Sequence, residues 1–293
     1  MMRNAKALAV PAAPRPVLDL SGPKLKTALE SLVVRTEDYG GVERYVDAVK
    51  LKSALFAQAL GEGRARSVEP KTLRQLLSLI ATVRRRVGPY LDERGFGGIR
   101  SRLADLLDAA RETSAADDAI SAFCGRFPDD REHRWVRDLA VDVLHNVDPE
   151  RYPLMCRWVW DQRANTGVLR EIWHADNVDH LVIDIPDRHE TFVVLREELS
   201  QYLTTNGVFR DVLQYVDLLT AQVYAEYISE QGGSYLRTDF ASPEDPMQHT
   251  RRMLGLDVAV DGRSKLKAID GEATIADLPR LNNCPWRYFD ADP

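Results

Sequence analysis

Residues 141–174 read VDVLHNVDPERYPLMCRWVWDQRANTGVLREIWH, and the way this stretch folds decides how the rest of the chain is arranged. Three of the five tryptophans (Trp158, Trp160, Trp173) fall in it, with two of the six histidines (His145, His174) and one of the three cysteines (Cys156). Asp148-Pro149 is a helix-start signal, because Asp caps free N–H groups and Pro is preset for the first helical position. Pro153 disfavours helix at Tyr152, so that helix is short. A second helical run is expected from Leu154, with Leu154, Trp158 and Asp161 on one side. On such a helix Trp158 and Trp160 diverge by about 200°. One then faces the core, while the other wedges against a neighbouring element or serves as a platform for an aromatic ligand. Asn165-Thr166-Gly167 breaks the run, and Thr166 is expected to cap a helix carrying Leu169, Ile172 and Trp173.

Upstream, apolar residues recur at helical spacing. Helices are expected over 21–36, 42–60 and, opened by Glu69-Pro70, through Leu73, Leu76, Leu77, Ile80 and Val87 to Gly88-Pro89. Further helices follow over 99–112, from a Ser114 cap through Ile120 and Phe123, and over 131–145. Gly95-Phe96-Gly97-Gly98 precedes one of them; a glycine-rich helix start can receive an anion, but the pattern is neither a P-loop nor a dinucleotide fingerprint and reads first as a plain interhelical turn. Downstream, residues 180–185 and 191–195 are rich in β-branched side chains around a turn-forming Pro186–Glu190, which suggests a small hairpin over 180–195. The second run alternatively starts a helix continuing through Glu197, Leu199 and Tyr202. Residues 208–229 are apolar on more than one face, as befits an interior helix or an oligomer interface. The expected fold class is therefore mainly α, a multi-helix protein with one small hairpin in its C-terminal half.

Composition is that of a globular chain, with 44% hydrophobic and 29% charged residues. Cys124, Cys156 and Cys284 match neither a disulfide framework nor a zinc pattern, and reduced thiols suggest a cytoplasmic protein. The sequence has no apolar run of membrane-spanning length, and no G-x-S-x-G or H-E-x-x-H. Charge is unevenly distributed. Residues 1–102 hold 19 Lys/Arg against 10 Asp/Glu, and residues 103–293 hold 20 against 35. Such an imbalance points to an oppositely charged partner or to mutual attraction between the two parts. The expected organisation is a flexible arm (1–20), a basic helical region (21–112), an acidic helical region (129–280) and an aromatic tail (281–293), with the softest divide at 112–128.

Three functional expectations follow. The leading one is a non-enzymatic, cytoplasmic binding or accessory protein with a protein partner or a second copy of itself, using the tail aromatics Trp286, Tyr288 and Phe289. The second is a helical, metal-dependent oxidoreductase of di-iron type. Glu171 and His174 stand three apart, the spacing one helix contributes to such a site. His249, four residues after Asp245, joins them, and the cofactor would be iron or another divalent metal. The third is nucleic-acid contact through the arginines of 64–102, chiefly Arg84, Arg85, Arg86, Arg100 and Arg102. Few aromatics interleave them, so contact would be electrostatic and salt-dependent.

Overall fold

The computed structural model describes residues 15–37, 40–175, 177, 180–232 and 247–258. Among them the chain is helical: α1 (Gly22–Glu37), α2 (Val42–Leu60), α3 (Pro70–Ser78), α4 (Phe96–Ala109), α5 (Ala116–Cys124), α6 (Trp135–Val147), α7 (Val168–Glu171), α8 (His189–Thr205), α9 (Val212–Gly232) and α10 (Gln248–Met253). The only β pairing among the described residues is two isolated bridges, Leu20 with Trp173 and Asp161 with Thr166.

The organising element is α9. Val216, Leu218, Leu219, Ala221, Val223 and Ala225 are all buried. These positions cover more than one face, and α9 packs against α1, α2, α7, α8 and α10. The all-round apolar pattern thus reflects a central helix. A second layer joins α2 to α6, and α5 to both α4 and α6. These contacts cross the 112–128 stretch, and buried residues from Leu18 to Leu256 form one contiguous core.

Residues 148–167 contain no helix, which corrects both helical expectations for this stretch. Asp148 Oδ1 accepts from Arg151 N in a local turn instead of capping a helix. Past Pro153 the segment runs irregularly through the interior, with Leu154, Met155, Cys156, Trp158, Val159 and Trp160 all buried. Off a helix, the two indoles need not diverge into different environments. Trp158 packs on Tyr224 of α9, and Trp160 Nε1 donates to Ile185 O at 2.8 Å. The carbonyls of Trp158 and Val159 accept from Val168 N and Leu169 N, satisfying the first amides of α7. Gly167, not Thr166, precedes that helix. Its φ is 122°, and a Cβ there would lie 2.7 Å from Val159 O, so only glycine fits.

Nor is there a hairpin over 180–195. Residues 181–187 are irregular, anchored by Asn165 Nδ2 and Arg170 Nη1 donating to Leu181 O. Residues 191–195 belong to α8, where Phe192, Leu195, Leu199 and Leu203 are buried at helical spacing. That periodicity outweighs their β-branched composition. The N-terminal arm is also partly held. Leu18 is buried, Ser21 N donates to Ile172 O at 2.7 Å, and Arg15 pairs with Glu190 and Glu197 of α8.

The segment 247–258 closes the bundle. Thr250 Oγ1 donates to Gln222 Oε1 of α9, Lys52 Nζ of α2 to Leu254 O, and Arg84 forms a two-pronged ion pair with Asp257 at 2.6–2.7 Å. Gly255 (φ +72°) passes so close to Leu79 O that a Cβ would meet it at 1.6 Å. With Arg15–Glu190 and Lys50–Asp211, these contacts join the basic and acidic parts of the chain directly. No helix of the described residues is long and apolar enough to cross a membrane.

Candidate functional site

Helix α6 holds charge in two places. Asp138, Asp142 and His145 stand at intervals of four and three and so share a face, and all three are buried. His145 Nδ1 lies 2.8 Å from Tyr152 O, which can only accept, so Nδ1 carries a hydrogen. Its Nε2 lies 3.1 Å from Asp217 Oδ2 on α9. A ring with its only hydrogen on Nδ1 would turn a lone pair towards that carboxylate. The geometry suits an imidazolium facing a carboxylate. Burial, the largest single influence on His145, favours the neutral ring. The charge and hydrogen bond of Asp217, the Tyr152 carbonyl and Asp142 together outweigh it, and the pKa rises.

Around this pair lie Cys156, whose Sγ donates to Asp142 Oδ2 at 3.2 Å, and Lys52. Burial raises the Asp142 carboxyl, with Lys52 opposing. It lowers the Lys52 amine, against Asp142, Cys156 and Asp217. The Cys156 thiol is driven well above its ordinary value by burial and then by Asp142 and Asp138, so it stays protonated and a poor nucleophile. The cavity bordering Asp217 measures only about 10 Å³, room for no more than about one water. A cysteine, a histidine and acids are thus assembled, but in a solid interior.

The other place is the start of α6, from Arg134 just before it. Arg134 and Arg137 stand three apart and line a cleft of about 530 Å³ with Arg157 and Arg163 of the irregular stretch. This volume is in the range of ligand pockets. Asp130 caps the turn Arg131–His133 by accepting from Glu132 N and His133 N. His133 is fixed on both sides, its Nδ1 2.8 Å from Asp130 Oδ1 and its Nε2 2.9 Å from the Tyr90 hydroxyl. The His133 hydrogen bond is the largest influence holding Asp130 below the usual carboxylate range. Tyr90, Phe127 and Trp135 pack ring to ring behind it.

The four guanidiniums are unequally engaged. Arg157 is bound to buried Asp138 through Nη2 at 2.8 Å and Nε at 3.3 Å. Arg137 donates to Met155 O and Asp187 O, and lies 3.5 Å from Asp187 Oδ2. Burial raises the Asp187 carboxyl, against the influence of Arg137. Arg134 reaches Asp161 only at 3.5 Å. Arg163 is exposed and makes no ion pair among the described residues. By contrast, a cavity of about 380 Å³ near Gly61 is lined by charges already paired: Asp108 with Arg66 and Arg111, Glu62 with Arg64, Arg151 with Asp148.

The residues singled out from sequence are placed as follows. Glu171, His174 and His249 do not converge with other ligands, for among the described residues no three His, Cys, Asp or Glu side chains are placed to hold a metal. His174 is exposed, and its backbone N donates to Asp19 O. Asp245 lies outside the described residues, as do Trp286, Tyr288 and Phe289. Arg84 is buried in its pair with Asp257, Arg100 lies over the Phe96 ring and Arg102 over the Phe127 ring, while Arg85 and Arg86 are exposed. At the glycine-rich start of α4, Gly95 N donates to Asp92 Oδ1 at 2.6 Å. The cleft arginines escaped the sequence reading. Their one local signal was the Arg134/Arg137 spacing, since Arg157 and Arg163 join them only through the path of the irregular stretch.

No protein-family model, curated protein or solved structure matches the chain.

Proposed function

We propose that this chain is a non-enzymatic binding protein that takes an acidic segment of a protein partner into the arginine cleft. One observation carries the reading: the cleft is ligand-sized, and among the described residues its outer guanidiniums make one ion pair, Arg134 with Asp161 at 3.5 Å, while Arg163 makes none. Guanidinium forks of this kind match carboxylates in geometry. The non-enzymatic part is supported by the state of the Cys–Asp–His–Asp gathering among the described residues, buried in the core with its thiol pushed well above its ordinary pKa.

The competing reading is electrostatic contact with nucleic acid through exposed Arg85 and Arg86. Arg84 and Arg102 support it less, being engaged with Asp257 and Phe127. Fluorescence anisotropy with labelled oligo-glutamate and labelled single-stranded DNA separates the two. Oligo-glutamate binding should fall about tenfold or more in the Arg134→Glu/Arg163→Glu double variant and hold in Arg85→Glu/Arg86→Glu. DNA binding that fails only in the second variant, with no oligo-glutamate binding by wild type, would replace the proposal.

A further inference from the structure

We infer that the group received by the arginine cleft is a phosphomonoester dianion carried on a side chain of the partner. The inference rests on the protein-binding reading above and specifies what the partner brings. A guanidinium has five N–H donors. Arg137 uses one on Met155 O at 3.0 Å and one on Asp187 O at 2.8 Å, which leaves three. Among the described residues Arg134 makes one ion pair, at 3.5 Å, and Arg163 makes none. One carboxylate has two oxygens, and a single guanidinium fork occupies both. Three guanidiniums with donors to spare line one cleft, alongside four aspartates; a phosphoryl group offers them three terminal oxygens and close to two negative charges, more than a carboxylate does.

The acids of the cleft are arranged to permit this. Asp130 is tied to His133, and Asp161 Oδ1 accepts from Ala164 N. Asp187 Oδ2 lies 3.5 Å from Arg137 Nη2, too long for a close ion pair. Asp129, exposed on the rim, suits a basic or hydrogen-bond-donating residue beside the phosphorylated one. The source follows from size, because about 530 Å³ is far more than a lone phosphate fills and leaves space for flanking residues.

The test presents the full-length chain with two peptide libraries, randomised around a central phosphoserine or around a central glutamate. Inorganic phosphate and phenyl phosphate serve as small-molecule probes. Phosphoserine peptides should be retained at least about tenfold over glutamate peptides. Arg134→Gln and Arg163→Gln should each remove most of that preference, with Arg85→Gln as the unaffected control and circular dichroism reporting an intact fold. Equal retention of both libraries would overturn the inference and leave the acidic-partner reading standing. Retention of neither would remove both. Phenyl phosphate binding as tightly as the best peptide would reassign the cleft to a small phosphate and overturn the peptide source.

Discussion

The start of α6 and its remaining length treat charge in opposite ways. Asp142 and His145, further along the helix, are closed off from solvent, with Asp217, Lys52 and Cys156 completing a packed cluster. Arg134 and Arg137, at the start, open onto a cleft where neither is held by a close carboxylate. The buried cluster has the residue types of a reaction centre, but it is closed off from solvent, and the cavity bordering Asp217 measures about 10 Å³. The cleft has the space and the unused donors. Collecting titratable groups therefore does not mark a site by itself; what separates the two regions is whether solvent and ligand can reach them. Asp138 and Arg157 join the two, a buried acid held by a guanidinium that also lines the cleft.

The largest effect that contrast predicts is at Asp217. Replacing it by Ala strands a buried imidazolium, and removing one partner of such a pair costs about 3–5 kcal/mol. Urea unfolding should show a lower midpoint at an unchanged slope. A loss under about 1 kcal/mol would mean that water reaches His145, and the contrast would break there. Next comes Arg157→Met, which keeps most of the apolar stem but leaves Asp138 without its guanidinium; a cost of about 2 kcal/mol is expected. If the variant is as stable as wild type, Arg157 belongs functionally with Arg134 and Arg163, and the cleft is larger in effect than argued.

Titration sharpens the same contrast. The folded-state pKa of His145 lies above the ordinary value of an imidazole, about 6.5. Its contribution to stability is thus complete below that value and is lost as pH rises through the folded pKa. Lys52, lowered chiefly by burial, acts in the opposite sense, since its cost diminishes as pH rises. The difference between wild type and His145→Gln isolates the histidine. That difference should shrink from mildly acid towards alkaline pH. A difference that grows over the same range would show that the ring is neutral when folded.

What could be read from the sequence follows from the range of the forces involved. Helices α2 and α3 were legible because Tyr45, Val49, Phe56, Leu73 and Leu76 repeat at helical spacing and Pro70 marks a start. The all-round apolar surface of α9 narrowed it to an interior helix or an oligomer interface, and its packing against five helices places it in the interior. The irregular stretch was not, because its backbone partners are distant or set by a tight approach: Ile185 O for Trp160, and the Trp158 and Val159 carbonyls for α7, permitted by Gly167. The charge imbalance and the prospect of internal pairing were legible, but not the pairs themselves, such as Arg84 meeting Asp257 across 173 residues. The cleft depends on the same fold path that carries Arg157 and Arg163 to Arg134, so no local pattern revealed it.

The smallest stability effect, and the most discriminating, is at Arg163. Its side chain is exposed and forms no ion pair among the described residues. Exposed positions without such a feature usually change stability by no more than about 0.5 kcal/mol. Arg163→Ala should therefore unfold with wild type in urea while losing anionic-peptide binding by about tenfold, since a charge on a cleft rim acts on association and complementarity, not on the fold. Arg157→Met should show the reverse balance, with stability reduced more than binding. Measuring both quantities on both variants divides the cleft into arginines that hold the protein together and arginines that face a partner. Should Arg163→Ala destabilise as much as Arg157→Met, that division would disappear, and with it the reason for assigning the cleft rather than the buried cluster to binding.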